Sequence, residues 1–191
     1  MTARPVIRRA GPDEVASLTD LLRASVLGLA NAEYSPRQLE SALTHVFGVD
    51  TRLIADGTYF VVEENEQSLA CGGWSRRRTL YGGDQSAGRS DDRLDPGSEP
   101  ARIRAFFVHP DHARRGLGRL LLDFCEDAAR SEGFQRMELM ATLSGVPLYE
   151  RCGYARVEAV DLELPDGIHF PLVRMSRVLS PVPDAGESGS E

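Results

Sequence analysis

The feature of this sequence that most restricts its fold is a strand-like run that leads through a glycine-containing loop into an amphipathic helix. Residues 102–108 (RIRAFFV) are rich in β-forming residues and end at His109. The loop 113–119 (ARRGLGR) follows, and a helix is predicted over 116–131. The residues predicted to face inward recur at helical spacing: Leu117, Leu120, Leu121, Phe124 and Ala128. A helix N-terminus offers unpaired N–H groups and a positive dipole end, so this junction suits an anion.

Taken alone, the Gly-x-Gly pair allows two interpretations. Gly116 and Gly118 can let a phosphate approach the backbone, with the nearby arginines adding charge-assisted contacts. They can equally do no more than ease a turn whose arginines are solvated. The third glycine of a dinucleotide-binding fold and the Gly-Lys-Ser/Thr of a P-loop are both absent from the sequence.

The patterns on either side predict a mixed, α+β architecture. Strands are predicted over 6–9, 58–63, 68–74, 102–108, 137–142, 154–164 and 169–178, with the third continuing as far as Tyr81 in one interpretation. Helices are predicted over 15–29, from the Ser35 cap to about Phe47, over 116–131 and over 146–151. We therefore expect one mostly antiparallel sheet of about seven strands, flanked by about four helices.

The chain is predicted to hold one domain, residues 1–178, with an acidic insertion at 82–100 and a disordered tail at 179–191. The net charge is −7, and the insertion and the tail each contribute −3, so the remaining body is almost neutral. The insertion lacks periodicity and is predicted to be disordered or a tethered coil, with a lid as the alternative. The sequence has no dominant basic stripe, so nucleic-acid binding is not indicated.

Several classes of protein are disfavoured by composition. No apolar run is long enough to span a membrane, and the first residues lack the apolar core of a secretory signal, so a cytoplasmic protein is expected. The three cysteines show no C-x-x-C spacing, which predicts free thiols, buried or half-buried, and no metal site.

The run from Arg102 to Tyr154 resembles the GCN5-related N-acetyltransferase family. The resemblance implies that acetyl-CoA is bound at the loop, where Gly116 and Gly118 match the family's small positions and Ala113 replaces a leading Gln or Arg. The implied cofactor-binding residues are Phe106, Phe107, Val108, Arg114, Arg115, Gly116, Leu117, Gly118, Arg119 and Ser144, the last standing where the family often has Asn. The N–H near Val108 is implied to polarise the thioester carbonyl.

The segment 148–154 (LYERCGY) matches the second family signature, which implies that Tyr149 is the general acid for the departing thiolate. The glutamate that many members use as a general base is replaced by Arg102, and no base is assigned. Four other titratable residues could act as the base, but none of them lies in a recognised motif: Glu33, His109, His112 and His169.

The acceptor is expected near 31–35 and 72–81, by the same resemblance. In the second region Trp74 and the arginines 76–78 could bind an aromatic or anionic substrate, but a charge-protected edge strand is the preferred interpretation.

The leading functional prediction is an N-acetyltransferase that uses acetyl-CoA as acyl donor and acts by direct attack in a ternary complex. The expected acceptor is a small-molecule or peptide amine. Neither nucleic acid nor a membrane is expected as a partner, and a homodimer is left open. The alternatives are a non-catalytic acyl-CoA-binding or regulatory module, and a different nucleotide-binding protein.

Overall fold

A computed structural model describes residues 4–180, in which a single seven-stranded sheet is flanked by helices. The strands are β1 (Val6–Arg9), β2 (Tyr59–Glu64), β3 (Gln67–Ser75), β4 (Ala101–Val108), β5 (Arg136–Thr142), β6 (Ala155–Glu163) and β7 (His169–Val178). The helices are α1 (Val15–Leu29), α2 (Pro36–His45), α3 (Thr51–Ala55), α4 (Leu117–Ser131) and α5 (Val146–Arg151). The predicted α+β class and strand number are confirmed. Helix α3 is unpredicted because five residues are too few to show a periodicity.

The sheet is split in its middle. Its strand order is β1-β2-β3-β4-β5-β7-β6, and every neighbouring pair is antiparallel except β4 and β5. Those two strands pair only at Ala101–Met137 and Arg102–Glu138, and then they diverge. The remaining edge of β4 therefore has no strand partner on that side, and the opening positions the candidate site.

A β-bulge lies in β4 where the sheet divides. The register of β4 against β3 shifts between the pairs Cys71–Phe107 and Gly73–Arg104, and Ala105 has a φ of 52°. An extra residue in one strand bends it and re-aims the side chains that follow. The bulge thus turns the end of β4 away from β5.

Helix α4 packs on the sheet with a face slightly different from the predicted one. Leu117 and Leu121 are buried as expected, but Leu120 and Phe124 are 42% and 41% exposed. The buried face instead includes Leu122, Cys125, Glu126 and Ala129. The prediction counted Leu120 and Phe124 because they are apolar, whereas the helix contacts β3 and β4 through the side centred on Leu121 and Cys125.

The acidic segment 82–100 is packed against the domain, so the prediction of a disordered or tethered coil is wrong. Arg89 forms ion pairs with the buried Asp50 and with Asp84, and the backbone N–H of Gly83 donates to the Val46 carbonyl. Leu94 is 5% exposed and belongs to the main apolar core. Composition could not show this, because one buried leucine and several long-range ion pairs and hydrogen bonds anchor a segment that is otherwise polar.

We expect Leu94→Ala to lower the free energy of unfolding by about 2 kcal/mol, near the lower end for a buried leucine because the segment can relax. Urea denaturation measures the loss. Leu120→Ala on the exposed side of α4 is the matched control and should change stability much less. Equal, small losses in the two variants would show that the segment is loosely attached.

The arginines after β3 are not a charged edge, which corrects the preferred interpretation. Strand β3 lies between β2 and β4 and ends at Ser75, and Trp74 is buried against Phe134. Each following arginine pairs with an acidic side chain: Arg76 with Glu132, Arg77 with Asp56 and Arg78 with Glu99.

Residue 179 lies in the folded domain and not in the predicted tail. Leu179 is buried, and its N–H donates to the Gln135 carbonyl at 2.8 Å, so residue 179 belongs to the domain. The predicted disorder of 181–191 concerns residues outside the described range. The three cysteine thiols are free and buried, as expected. Within residues 4–180 no helix combines the length and apolarity needed to cross a membrane.

Candidate active site

A cavity of about 600 Å³ lies where β4 and β5 separate. Its walls come from β4, β5, the C-terminal half of α1, the start of α4, helix α5 and residues 80–83. Ten of the predicted site residues line it: Phe106, Phe107, Val108, Arg114, Gly116, Leu117, Gly118, Arg119, Ser144 and Tyr149. Arg115 does not line it, because its guanidinium turns to Glu64 and His112.

The loop before α4 has a backbone suited to an anion. Arg114 and Gly116 have φ values of 62° and 81°, and no side chain caps the helix. The N–H groups of Leu117–Arg119 in the first turn are therefore left without a capping partner. A non-glycine residue in the left-handed region costs of order 1–3 kcal/mol, and such strain is concentrated at binding sites.

The two loop positions 116 and 118 require glycine for different structural reasons. Gly116 needs its positive φ, and a Cβ built there would have no atom within 4 Å, so it faces open space. A Cβ on Gly118 would lie 3.0 Å from Leu148 Cδ2 and 3.7 Å from Val108 Cγ2. Gly118 therefore lets α4 approach α5 and β4, which is a packing role that the sequence did not separate from ligand approach.

The open edge of β4 carries an N–H that points into the site. The His109 N–H donates to Leu69 on β3, so strand alternation directs the N–H of Val108 to the opposite edge. It donates there to the Ser25 hydroxyl of α1 at 3.2 Å. Ser25 is 6% exposed and lines the cavity. Within the described part of the chain its hydroxyl hydrogen has no acceptor, so it remains free for a ligand.

Ser25 was missed by sequence analysis. It lies inside α1 among apolar residues, and no local motif distinguishes it from a helix-packing serine. Only the tertiary contact between α1 and β4 reveals it.

Tyr149 lies on α5 with its ring 8% exposed and lines the same cavity. Its hydroxyl forms no hydrogen bond with any group in residues 4–180, and burial raises the pKa of the phenol above its ordinary value. The ring packs edge-on against Tyr154, with centroids 5.7 Å apart. Tyr154 donates to Glu126, which also pairs with Arg177. This buried network fixes the ring against which Tyr149 rests.

Two arginines of β4 have separate environments. Arg102, at the position implied for a glutamate base, pairs with Glu138 of β5 and lies outside the cavity lining. Arg104 does line the cavity, and its guanidinium donates to Asp50 at 2.8 Å and to the carbonyls of Thr79 and Gly82. Burial lowers its pKa to about 10, so it stays charged at neutral pH.

The other residues considered as bases also lie elsewhere: Glu33, His109, His112 and His169 are absent from the lining. The expected acceptor segment 31–35 is likewise outside it, whereas Leu80 and Tyr81 of the second expected segment line it. In the described residues, no group of three or more His, Cys, Asp or Glu side chains is arranged to hold a metal ion.

A family model described as the acetyltransferase (GNAT) family matches residues 23–154, which include the C-terminal half of α1, the split between β4 and β5, the Gly116 loop and Tyr149. The chain belongs to the GNAT family. Comparison with curated proteins gives no match. The resemblance predicted from Arg102 to Tyr154 is thus confirmed.

Solved GNAT structures share the fold at low sequence identity. The GCN5-related N-acetyltransferase of Rhodopseudomonas palustris is 18% identical, with 94% of this chain and 98% of that chain covered and a TM-score of 0.68. YncA of Salmonella typhimurium, solved with its cofactor acetyl-CoA, is 20% identical, with 96% and 100% covered and a TM-score of 0.62. The ribosomal-protein-S18-alanine N-acetyltransferase of Escherichia coli is 15% identical, with 96% and 99% covered and a TM-score of 0.59. These similarities show the GNAT fold.

Proposed function

We propose that this GNAT protein is an N-acetyltransferase that transfers the acetyl group of acetyl-CoA directly to a primary amine. One observation carries the proposal: a single cavity joins the uncapped N–H groups of α4, the free edge of β4 and the unbonded hydroxyl of Tyr149. An anion site, a strand edge for an amide-containing arm and a proton donor are the groups that a CoA thioester requires.

The cofactor's pyrophosphate would bind the N–H groups of Leu117–Arg119, with the Arg114 and Arg119 side chains adding positive charge. Its pantetheine arm would lie against the open edge of 106–108, and Ser144 would offer a hydroxyl from the far wall. Arg115 contributes no side chain to this arrangement, since it is held by Glu64.

The chemistry follows from the groups around the cavity. The amine nitrogen attacks the thioester carbon, a C–N bond forms, and negative charge develops on the carbonyl oxygen. The free Ser25 hydroxyl, which the Val108 N–H polarises, donates to that oxygen. When the C–S bond breaks, Tyr149 gives its proton to the sulfur and regains one from solvent. Water accepts the proton that the amine loses, because the described lining holds no carboxylate or imidazole.

Calorimetry and turnover together test the proposal. We expect acetyl-CoA to bind, and free CoA and an acetylated amine to form in equal amounts when an amine panel is added. Tight binding without turnover across the panel would instead support the acyl-CoA-binding module. Absence of acetyl-CoA binding, with ATP or NAD bound in its place, would support a different nucleotide-binding protein.

Ser25→Ala should lower kcat about 10-fold, which is less than the roughly 10²- to 10³-fold typical of one lost oxyanion donor, because the Val108 N–H remains to donate in its place. The affinity for acetyl-CoA should change little, since the ground-state carbonyl is a weaker acceptor than the oxyanion. Steady-state and binding measurements separate the two quantities. Ser41→Ala is the matched control: Ser41 is also a buried helical serine, but it bonds Asp166 away from the cavity. An unaltered kcat in Ser25→Ala would exclude the hydroxyl from the reaction.

A further inference from the structure

The part of the cavity beyond Ser25 has a distinct chemical character. Ser25 and Leu29 are four residues apart on α1, and both line the cavity, as do Val26 and Ala30. Residues at this spacing lie on one helix face, so the cavity continues along α1 from the Val108–Ser25 contact toward the helix end. We call this continuation the acceptor end.

The walls of the acceptor end are apolar. Val26, Ala30 and Val46 are buried in an apolar cluster that is separate from the main core. Phe47 packs edge-on against Phe107, with ring centroids 6.1 Å apart. Apolar walls that include aromatic rings favour an apolar or aromatic guest over a hydrated one. The lining of the acceptor end thus suits a body of aromatic or branched aliphatic character.

The charged residues that line the cavity also favour an uncharged acceptor. Among the described residues none of those lining it is Asp, Glu, His or Lys, and its charged members are all arginines. Of these arginines, Arg104 on β4 is already bonded to Asp50 and to two backbone carbonyls. A protonated amine entering this end would lose its hydration without gaining an anionic partner, which is unfavourable.

The basicity of the amine then decides how much of it can enter the cavity in the neutral, reactive form. An amine with a pKa near 10.4, like that of lysine, is neutral at pH 7 for only about one molecule in 10³, whereas a weakly basic amine is almost entirely neutral. The same absence of a carboxylate leaves no side chain to remove a proton before attack. An acceptor that is already neutral avoids both difficulties.

We infer that the acceptor is a weakly basic amine on a flat apolar body, of the arylamine or aryl hydrazine class, which binds in its neutral form. The inference rests on the proposed acetyl transfer and assigns its substrate class. The absence of an acidic lining and the absence of a base are explained together: neither is needed for such an amine.

Two isomers, p-toluidine and benzylamine, provide a matched test. They contain the same atoms, but the first is neutral at pH 7 and the second is mostly protonated. With saturating acetyl-CoA, we expect kcat/KM at pH 7 to favour p-toluidine by at least about 10-fold. Between pH 6 and 8, kcat/KM should stay flat for p-toluidine and rise about tenfold per pH unit for benzylamine, following its neutral fraction.

A charge introduced at the rim tests the cause. Leu29 is 38% exposed, so Leu29→Glu should fold. It should shift the kcat/KM ratio toward benzylamine by about 10-fold, because a carboxylate there would both bind the ammonium and accept its proton before attack. Leu29→Gln has the same shape without charge and should leave the ratio close to that of the parent.

The outcomes are distinguishable. Preference for benzylamine, spermidine or a lysine peptide over p-toluidine at pH 7 would overturn the inference while leaving acetyl transfer intact. An unchanged ratio in Leu29→Glu would show that the missing carboxylate does not set the selectivity, which also overturns it. If acetyl-CoA binds and no amine of either class is acetylated, the proposed transferase function fails, and the inference fails with it.

Discussion

Gly116→Val is expected to raise the dissociation constant for acetyl-CoA about 10²-fold. A β-branched residue in the left-handed region costs up to roughly 3 kcal/mol, and each 1.4 kcal/mol of binding free energy changes the dissociation constant tenfold. Gly116 has a φ of 81° immediately before α4. Valine would move the loop to a negative φ, and the N–H groups of Leu117–Arg119 would no longer converge on one anion. Calorimetric titration with acetyl-CoA measures the effect.

Gly167→Val is the control for strain alone. Gly167 has a φ of 77° in the turn between β6 and β7, and a Cβ added there, like one added at Gly116, would have no atom within 4 Å. Both variants should lose similar stability in urea denaturation, but only Gly116→Val should lose cofactor affinity. If a folded Gly116→Val binds acetyl-CoA as tightly as the parent, the loop is not the phosphate site.

Tyr149→Phe is expected to lower kcat about 10²-fold, the lower end for a positioned proton donor, because a thiol with a pKa near 8.5 is already a moderately good leaving group. The substitution keeps the ring that packs on Tyr154 and removes a hydroxyl without a partner in residues 4–180. Acetyl-CoA affinity should change little. The loss should shrink with an acyl donor whose leaving thiol is more acidic.

Burial raises the pKa of the Tyr149 phenol, so the donor stays protonated through neutral and mildly alkaline pH. The parent's kcat should therefore show no fall from phenol ionisation below about pH 10, the ordinary value for tyrosine. Steady-state rates across this range test the statement.

Tyr154→Phe is the control for Tyr149→Phe. It removes a hydroxyl that donates to Glu126 at 2.9 Å, which should cost about 1–2 kcal/mol of stability and leave kcat near that of the parent. The two tyrosines should thus show opposite signatures. If chemistry limits turnover and Tyr149→Phe reacts like the parent, Tyr149 is a packing residue.

Much of the fold could be predicted because its signals are local. The Ser35 cap with Pro36 gives the start of α2, and short β-rich runs, continuous or alternating in apolar residues, give the strands. Alternation also explains β7, and the turn at Gly167 joins it to β6 as expected. These elements depend on backbone preferences that a short window of sequence contains.

The site was predictable only in part, because its remaining features are tertiary. The Gly116 loop and Tyr149 carry motifs, and both line the cavity. Ser25 contacts Val108 although the two residues are 83 positions apart in the sequence, and no local pattern signals this contact. Arg104 lines the cavity and Arg102 does not, because β4 is still paired with β5 at Arg102 and separates from it farther along the strand. That separation is a tertiary feature that no local pattern encodes.

The anchoring of 82–100 was hidden for a related reason. Its composition is that of a solvated loop, yet Arg89 reaches the buried Asp50, which Arg104 also contacts. A few long-range contacts, among them the Arg89–Asp50 ion pair and the burial of Leu94, order a polar segment without altering its average character. The acidic insertion thus supports the wall of the cavity that contains Gly82 and Gly83.

The most direct test of acetyl transfer in this cavity is mass spectrometry with acetyl-CoA carrying a deuterated acetyl group. The protein is incubated with the labelled donor and p-toluidine at pH 7, and amide, acetate and free CoA are quantified beside the Gly116→Val variant. We expect all enzyme-dependent label to appear in the amide, in an amount equal to the free CoA, and the variant to form far less amide at a limiting donor concentration. Label found only in acetate, or amide formed no faster than without protein, for p-toluidine and for every other amine tried, would contradict this expectation.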